Sequence, residues 1–215
     1  MLRTAVLISG GGSNLQALID ASARGETGAS IALVISSEAD ALGLERARRA
    51  GIETAVIDHR ACSGREAFDA AIDETLRAKG IELVCLAGFM RILGRAITTG
   101  WQGRMLNIHP SLLPSFKGLH THERAIGAGV KVHGCTVHLV TSELDDGPIL
   151  AQGLVPVLPD DTPPILAARV LEVEHLCYPQ ALASLCAPDR VSPQLLLHPL
   201  LTTDGRVPRH SPQND

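Results

Sequence analysis

Short apolar segments alternate with longer amphipathic segments along the first half of the chain. The stretches between the apolar segments carry apolar residues at the three- and four-residue spacing of helices. Strands are predicted over 5–8, 31–35, 54–57, 83–86 and 104–108, and helices over 14–24, 41–50 and 65–79. Because strands that are apolar throughout belong in a parallel sheet covered on both faces, this pattern predicts an α/β fold. We expect a doubly wound, mostly parallel sheet flanked by helices, in a single domain.

The pattern changes after Val130. Two more strands are predicted over 137–140 and 149–157, with an antiparallel arrangement left open, followed by a long helix over 162–185 and a short strand over 194–198. We expect the folded domain to cover residues 1–187, with a C-terminal extension over 188–215. The end of this extension, from Asp204 onward, has few apolar residues and is expected to be frayed.

The composition narrows the classes of function. A net charge of −4 gives no overall attraction to nucleic acid or anionic membranes, and an aromatic content of 2% leaves few platforms for base stacking. No apolar run reaches the roughly 18 residues of a membrane-spanning helix. The N-terminus lacks the apolar region of a signal peptide, and the cysteines form no C-x-x-C pair. We therefore expect a cytoplasmic protein with no nucleic-acid or membrane partner. We also expect small molecules as its partners, and a monomer or homodimer as its assembly.

A glycine-rich loop, Ser9-Gly10-Gly11-Gly12-Ser13-Asn14, joins the first predicted strand to the first predicted helix. Loops at this point of a doubly wound fold hold phosphate, because glycines allow close approach and the helix N-terminus offers free N–H groups. A competing interpretation is a capping box formed by Ser13 and Gln16. The loop lacks the third glycine and the downstream acid of a dinucleotide site, and also the lysine of a Walker motif. The residues favour a phosphomonoester at Gly11, Gly12, Ser13 and Asn14.

A second candidate site, Asn107-Ile108-His109-Pro110, follows the fifth predicted strand. Side chains two residues apart in an extended chain point to the same side. An amide that stabilises an oxyanion beside an imidazole that moves a proton suits acyl transfer. The alternative is a capped strand end with a surface histidine. Further along, Asp145-Asp146-Gly147-Pro148 is either an acidic turn or the source of a carboxylate that orients the imidazole and favours its charged form.

Two further groups of residues receive simpler interpretations. The histidines at 120, 122, 133 and 138 suggest zinc, but their spacing matches no common ligand pattern, so we expect no metal. His120 and His122 are assigned instead to a mobile loop over the site, spanning about 110–131. The basic run at 46–49 is interpreted as a solvated helix face, and Trp101 as a packing residue.

Five segments that occur in a fixed order resemble one known family. They are the glycine loop and residues 86–93, 107–114, 118–122 and 145–148. Together they resemble the phosphoribosylglycinamide formyltransferases over roughly residues 3–180. The resemblance implies a Rossmann-like formyltransferase fold. It also implies transfer of the formyl group of 10-formyltetrahydrofolate to the amine of 5-phosphoribosylglycinamide in de novo purine biosynthesis, giving 5-phosphoribosyl-N-formylglycinamide and tetrahydrofolate.

The resemblance also implies roles for individual residues. The implied catalytic residues are Asn107, His109 and Asp145. Substrate contacts are implied for Gly11, Gly12, Ser13, Asn14, Asn107 and Glu174. Folate contacts are implied for Arg65, Met90, Arg91, Ile92, Leu93, Asn107 and Asp145. At Asp146 some members have glycine, so the chain carries an extra negative charge near His109. We expect at most a shifted loop conformation there.

Two alternative functions stay open at this stage. A formyltetrahydrofolate hydrolase would share the catalytic residues and use water as the acceptor. A non-catalytic phosphate- or nucleotide-binding regulator would need the glycine loop, but not Asn107, His109 and Asp145 together.

Overall fold

Eight strands form one sheet in the order β3-β2-β1-β4-β5-β6-β7-β8. The computed structural model describes residues 1–187 and 194–202. The strands are β1 Leu2–Ile8, β2 Ala29–Ser36, β3 Glu53–Val56, β4 Leu83–Leu86, β5 Met105–His109, β6 Val132–Leu139, β7 Ile149–Pro156 and β8 Gln194–Leu197. The helices are α1 Ser13–Ala23, α2 Leu42–Arg49, α3 Arg65–Ala78, α4 Arg95–Gly100, α5 Thr121–Gly127, α6 Pro163–Cys186 and α7 Pro199–Thr202, with a short 3₁₀ helix at His59–Ala61.

The first five strands are parallel to one another. β6 is antiparallel to both β5 and β7, and β8 is parallel to β7. The predicted doubly wound, mostly parallel sheet is therefore confirmed, as are the antiparallel arrangement and the short last strand. Because β1, β4 and β5 are parallel, the loops after their carboxyl ends meet at one edge of the sheet, where such folds bind ligands.

Two hydrophobic cores cover the two faces of the sheet. Val6 and Ile8 belong to the core that β1 shares with α1, α2 and α6, whereas Ala5 and Leu7 belong to the core shared with α3 and α4. The four residues are fully buried. Each large aliphatic side chain buried in this way contributes about 1.5–3 kcal/mol to folding. The alternation explains why residues 5–8 of the strand are all apolar, and it fixes β1 so that the glycine loop starts at the ligand-binding edge.

Three α-helices were not predicted from the sequence. α4 is six residues long, α5 is seven and α7 is four, too short to show a helical period. α5 lies within the segment that the sequence analysis treats as a mobile loop, and its buried residues are Thr121 and Ala125. The segment over 110–131 is therefore partly helical.

Trp101 is buried, with 1% of its surface exposed, which confirms its interpretation as a packing residue. The five cysteines are free thiols. Among the described residues, no helix has both the length and the apolar character needed to cross a membrane. The residues from Asp204 onward, for which fraying was predicted, lie outside the described part of the chain, and the boundary after residue 187 stays a prediction.

Candidate active site

The glycine loop turns sharply between β1 and α1. Gly12 is the N-cap of α1 and has a positive φ of +70°. A Cβ atom on Gly12 would lie 2.7 Å from the Cα of Gly43 in α2. Both the backbone angle and this close approach therefore require glycine. The Gln16 N–H donates to the Gly12 carbonyl at 2.9 Å, which leaves the preceding amides of the first turn for an external acceptor.

Ser13 does not form the capping box that competed with phosphate binding. The N-cap of α1 makes no side-chain hydrogen bond, and Gln16 Nε2 donates to Asp20 Oδ1 at 2.8 Å instead. The capping interpretation is therefore wrong. The first-turn donors of α1 are available to an anion, in agreement with the predicted phosphate site.

Asn14 and Glu174 meet beside the glycine loop, although they lie far apart in the chain. Asn14 Nδ2 donates to Glu174 Oε2 at 2.7 Å. Glu174 comes from α6 and is 7% exposed, and this burial raises the pKa of its carboxyl to about 7, although the hydrogen bond from Asn14 opposes the shift. The structure thus places a carboxyl that changes charge near neutral pH at the predicted substrate site.

Asn107 and His109 lie at the carboxyl end of β5, and both side chains line one cleft. Leu106 and Ile108, which alternate with them, belong to the core with α1, α2 and α6, so Asn107 and His109 point to the other side of the strand, as predicted. His109 is 6% exposed, so its interpretation as a surface histidine is wrong. β1, β4 and β5 are parallel, so the glycine loop and these two residues share one edge of the sheet, as predicted.

The imidazole of His109 is held at both ring nitrogens. Nε2 lies 3.1 Å from the carbonyl oxygen of Phe116 and, because a carbonyl only accepts, Nε2 carries the proton of that bond. Nδ1 lies 3.4 Å from Oδ2 of Asp145. The same carboxylate oxygen accepts a hydrogen bond from the Gly118 amide at 2.9 Å. The predicted carboxylate therefore reaches the imidazole, and backbone contacts fix both groups.

His138 is a residue of this site that the sequence analysis missed. Its Nδ1 donates to the Leu139 carbonyl at 3.0 Å, and burial lowers its pKa, although the Leu139 carbonyl and Asp145 oppose that shift. The neutral ring is left with an accepting Nε2, which lies 3.3 Å from Asn107 Nδ2. This contact orients the Asn107 amide. No local sequence pattern indicates this role, because His138 reaches Asn107 through the pairing of the two residues across β5 and β6.

The acidic turn has its unusual backbone at a different residue from the one expected. Asp145 has a positive φ of +50°, whereas the sequence analysis expected any shifted conformation at Asp146. Aspartate tolerates this region better than most residues. Asp146 forms an ion pair with Lys117, which lowers the pKa of its carboxyl. Lys117 therefore neutralises the extra charge that the sequence places near His109.

The cleft has a volume of about 610 Å³. The predicted residues that line it are Asn14, Met90, Arg91, Ile92, Leu93, Asn107, His109, Asp145 and Glu174. Four lining side chains are large, apolar and more than half exposed: Met90, Ile92, Leu119 and Leu144. Such a group of exposed apolar side chains around a concave site is typical of a ligand with an apolar face.

Four of the predicted site residues lie outside this cleft. Gly11 and Gly12 form the loop itself, and Ser13 lines a neighbouring cavity of about 450 Å³. Arg65 is exposed at the start of α3, where its Nε lies 3.7 Å from the position that a Cβ on Gly94 would take. Its predicted folate contact stays a prediction. Within the cleft, Arg91 Nη2 donates to Glu38 Oε1 at 3.2 Å.

Two of the histidines considered for zinc, His122 and His133, pack against each other. The rings of His122 and His133 meet edge to face with centroids 5.3 Å apart, and burial lowers the pKa of both, to about 4 for His133. Among residues 1–187 and 194–202, no group of three or more His, Cys, Asp or Glu side chains is arranged to hold a metal ion. A reaction without a metal stays a prediction.

A comparison with known protein families identifies the kind of protein in which such a site occurs. The formyl transferase family matches residues 2–182. The chain belongs to the formyl transferase family. This confirms the resemblance found in the sequence, and it places the glycine loop and the β5 residues within the matched region.

Individual relatives of this formyltransferase agree with that assignment. The phosphoribosylglycinamide formyltransferase of Escherichia coli (strain K12) is 49% identical over 174 residues, which are 81% of this chain and 82% of that protein. The crystal structure of glycinamide ribonucleotide transformylase 1 from Symbiobacterium toebii has a TM-score of 0.85 and 49% identity, and the match covers 88% of this chain and 92% of that one.

The trifunctional purine biosynthetic protein adenosine-3 of Bos taurus is 53% identical over 180 residues. The match covers 84% of this chain, but only 18% of that protein. The match therefore spans most of the Escherichia coli protein, but only a small part of the trifunctional relative.

Proposed function

We propose that this formyltransferase moves the formyl group of 10-formyltetrahydrofolate to the amine of 5-phosphoribosylglycinamide. One observation carries the proposal. A glycine loop of the kind that binds phosphate lies at the same edge of the sheet as Asn107, His109 and Asp145. The name of the Escherichia coli relative supports the choice of acceptor. The glycine loop suits a phosphate and the Asn107–His109 pair suits the reaction of an amine, and a phosphorylated glycinamide carries both groups.

The acceptor is held beside the glycine loop. Backbone N–H groups at Gly12, Ser13 and Asn14 bind its phosphate, since the α1 N-terminus presents free donors and the positive end of the helix dipole. Glu174, which is fixed by Asn14, contacts the sugar-glycinamide part of the acceptor. Its ionised form accepts hydrogen bonds from hydroxyl or amine groups.

The formyl donor occupies the cleft. It supplies a formyl carbon bound to a nitrogen that leaves when the transfer is complete. The volume of about 610 Å³ lies within the usual range of small-molecule sites, and Met90 and Ile92 offer apolar surface to a ring system. Arg91 and Leu93 line the same cleft, and Arg65 lies outside it at the start of α3.

Asn107 and His109 stabilise the charge that develops during transfer. The acceptor nitrogen forms a bond to the formyl carbon, and the carbonyl electron pair moves to the formyl oxygen. Because one Asn107 N–H points to His138, the second N–H is free to donate to that oxygen. The formyl carbon then separates from its original nitrogen. The acceptor amine has lost one proton and the leaving nitrogen has gained one.

His109 assists this proton movement, directly or through water. Asp145 orients the ring from the Nδ1 side, so Nε2 is the nitrogen that faces the reacting groups. The Phe116 carbonyl accepts a hydrogen bond from Nε2 in this structure. That carbonyl must therefore move before Nε2 contacts the substrates.

Formyl transfer by the purified chain tests the proposal. The folate product is followed by absorbance and the formylated acceptor by mass spectrometry, with and without phosphoribosylglycinamide. We expect equal amounts of both products, and little turnover when the acceptor is left out. Folate release that does not depend on the acceptor would favour the hydrolase. Phosphate binding without either product would favour the regulator.

We further propose that the enzyme acts in the cytoplasm as a monomer or homodimer, without a metal and with small molecules as its partners. Light scattering at two protein concentrations measures the oligomeric state. Activity that survives dialysis against a chelator would agree with a metal-free reaction, and loss of activity restored by one metal would contradict it.

A further inference from the structure

An acidic side chain outside the cleft holds an arginine that lines it. Of the described residues that line the cleft, Arg91 is the only lysine or arginine. Its Nη2 donates to Glu38 Oε1 at 3.2 Å, and its Nε is buried without a hydrogen-bond partner in the described part of the chain. Glu38 lies in the loop after β2 and does not line the cleft. The position of the Arg91 guanidinium is therefore set from outside the cleft.

Glu38 is itself fixed from a second direction. Arg60, in the 3₁₀ helix after β3, donates from Nη2 to Glu38 Oε2 at 3.0 Å. Asp58 in turn accepts hydrogen bonds from Nε and Nη2 of Arg60, at 2.9 and 3.0 Å. The two oxygens of the Glu38 carboxylate thus accept from two different arginines, and only 22% of the Glu38 side chain is exposed. The carboxylate has little freedom to leave Arg91.

Hydrogen bonds also join the chain segments that carry Glu38 and Arg91. The hydroxyl oxygens of Ser37 and Ser9 lie 2.7 Å apart, and the Met90 N–H donates to the Ser9 oxygen at 2.9 Å. Ser37 precedes Glu38 and Met90 precedes Arg91, so the backbone is fixed on both sides of the ion pair. Because the guanidinium is ordered in advance, less conformational entropy is lost when a ligand binds to it.

The strand order gives the ion pair a direction within the cleft. Arg91 follows β4, whereas Glu38 follows β2, which lies beyond β1 on the side away from β5. Neighbouring strands are about 4.8 Å apart, so the end of β2 lies about 14 Å from the end of β5, which carries Asn107 and His109. Glu38 therefore draws the guanidinium toward the end of the cleft that is remote from the reacting groups.

The formyl donor of the proposed function is elongated and acidic at one end. In 10-formyltetrahydrofolate, the nitrogen that carries the formyl group joins the ring system to an aminobenzoyl group, which ends in a glutamate with two carboxylates. When the formyl group lies at Asn107 and His109, the glutamate lies away from them.

We propose that Glu38 is a positioning residue for the formyl donor. With Arg60 behind it, Glu38 holds the Arg91 guanidinium where that group meets the acidic end of the donor. The identity of the donor rests on the proposed function, whereas the arrangement of the guanidinium rests on the contacts of Glu38.

Four variants and one control test whether Glu38 acts through Arg91. Glu38→Ala removes the carboxylate, and Glu38→Gln removes its charge but keeps an oxygen that accepts from Arg91. Arg91→Met removes the guanidinium, and it is also combined with Glu38→Ala in a double variant. Glu45→Ala is the matched control, because it removes the same charge from an exposed glutamate that is paired with Arg49. Circular dichroism checks that each variant is folded.

The measurements are kcat, the KM of each substrate, and the Kd of 5-formyltetrahydrofolate by calorimetry. This isomer of the donor is bound without turnover. Glu38→Ala is expected to raise the Kd and the KM of the donor by about 3- to 10-fold, as for the loss of order in one long side chain. Glu38→Gln should recover most of the affinity, and Glu45→Ala should match the wild type. The KM of the acceptor and kcat should change by less than about twofold in both Glu38 variants.

The double variant should bind the folate no more weakly than Arg91→Met alone. The proposal fails if Glu38→Ala weakens binding as much in the Arg91→Met background as in the wild type, because Glu38 would then act through another contact. It also fails if Glu38→Ala binds the folate as tightly as the wild type or more tightly, since the carboxylate would then be neutral for the donor or repel it.

The folate titration also separates this proposal from the proposed function. A wild-type protein that does not bind the folate would overturn both. Wild-type binding that is unchanged by Glu38→Ala would overturn only the role of Glu38. Binding that Glu38→Ala weakens in the wild type, but not in the Arg91→Met background, would support that role even if phosphoribosylglycinamide were not formylated.

Discussion

Glu174 gives the folded protein a pH dependence that a single substitution can isolate. Its carboxyl is 7% exposed, and burial raises its pKa from the ordinary 4.5 to about 7. Between these two pH values the folded state keeps the proton while the unfolded state releases it. Stability therefore falls as pH rises through this window. A shift of this size corresponds to about 3 kcal/mol of unfolding free energy, lost between about pH 4.5 and pH 7.

Glu174→Gln removes the titrating group and keeps an oxygen that accepts the hydrogen bond from Asn14. As pH rises from about 4.5 to about 7.5, the unfolding free energy of this variant is expected to increase by about 3 kcal/mol relative to that of the wild type. Below that window both proteins have an uncharged side chain, so the difference between them should be smallest there. The cause is the desolvation of the carboxylate, because the ionised form loses water in the folded state.

Urea unfolding at five pH values between 4.5 and 8, followed by circular dichroism, measures this difference. Glu66→Gln, at an exposed position in the first turn of α3, is the control and should track the wild type at all pH values. The argument is refuted if the unfolding free energies of Glu174→Gln and the wild type differ by the same amount, within about 0.5 kcal/mol, at all pH values. Glu174 would then titrate alike in the folded and unfolded states. The amide should also raise KM for the acceptor above pH 7, where the wild-type side chain is ionised.

Two further substitutions test the backbone and the positioning of the site. Gly12→Ala should lower the unfolding free energy by at least about 2 kcal/mol, because alanine is strained at φ +70° and its Cβ would meet Gly43. Gly10 has open space around it, so Gly10→Ala should leave the unfolding free energy nearly unchanged in the same urea titration. His138→Leu should lower kcat by about 10-fold or more with both KM values within about threefold, since the Asn107 amide loses its orienting contact. If the same change costs as much in an Asn107→Ala background, His138 does not act through that amide.

The parts of the site that lie next to strand ends could be predicted from the sequence. The glycine loop and the Asn107–His109 pair each follow an apolar strand, and parallel strands bring their carboxyl ends to one edge. Local patterns were therefore sufficient to place them together. The resemblance to formyltransferases selected Asp145 from the acidic turn and added Glu174, and the positions of both residues depend on contacts between distant segments.

The parts that depend on register or on helix rotation could not be predicted. His138 reaches Asn107 only because β6 pairs with β5 in one antiparallel register, with an irregularity between Val137 and His138 where β6 meets β7. Arg46 resembles its basic neighbours in the sequence, and only the packing of α2 brings its Nε within hydrogen-bond distance, 2.9 Å, of the Gly11 carbonyl. The left-handed backbone at Asp145 rather than Asp146 depends on tertiary contacts in the same way.

The central claim is that Asn107 and His109 act on the same developing charge, and kcat for formyl transfer tests it most directly. Asn107→Ala is expected to lower kcat by about 10²–10³-fold, and His109→Ala by about 10²–10⁴-fold. In the double variant the loss should be clearly smaller than the product of the two single losses, because both residues serve one step. Circular dichroism confirms that each variant is folded. A folded His109→Ala variant with kcat within about threefold of the wild type would contradict the account.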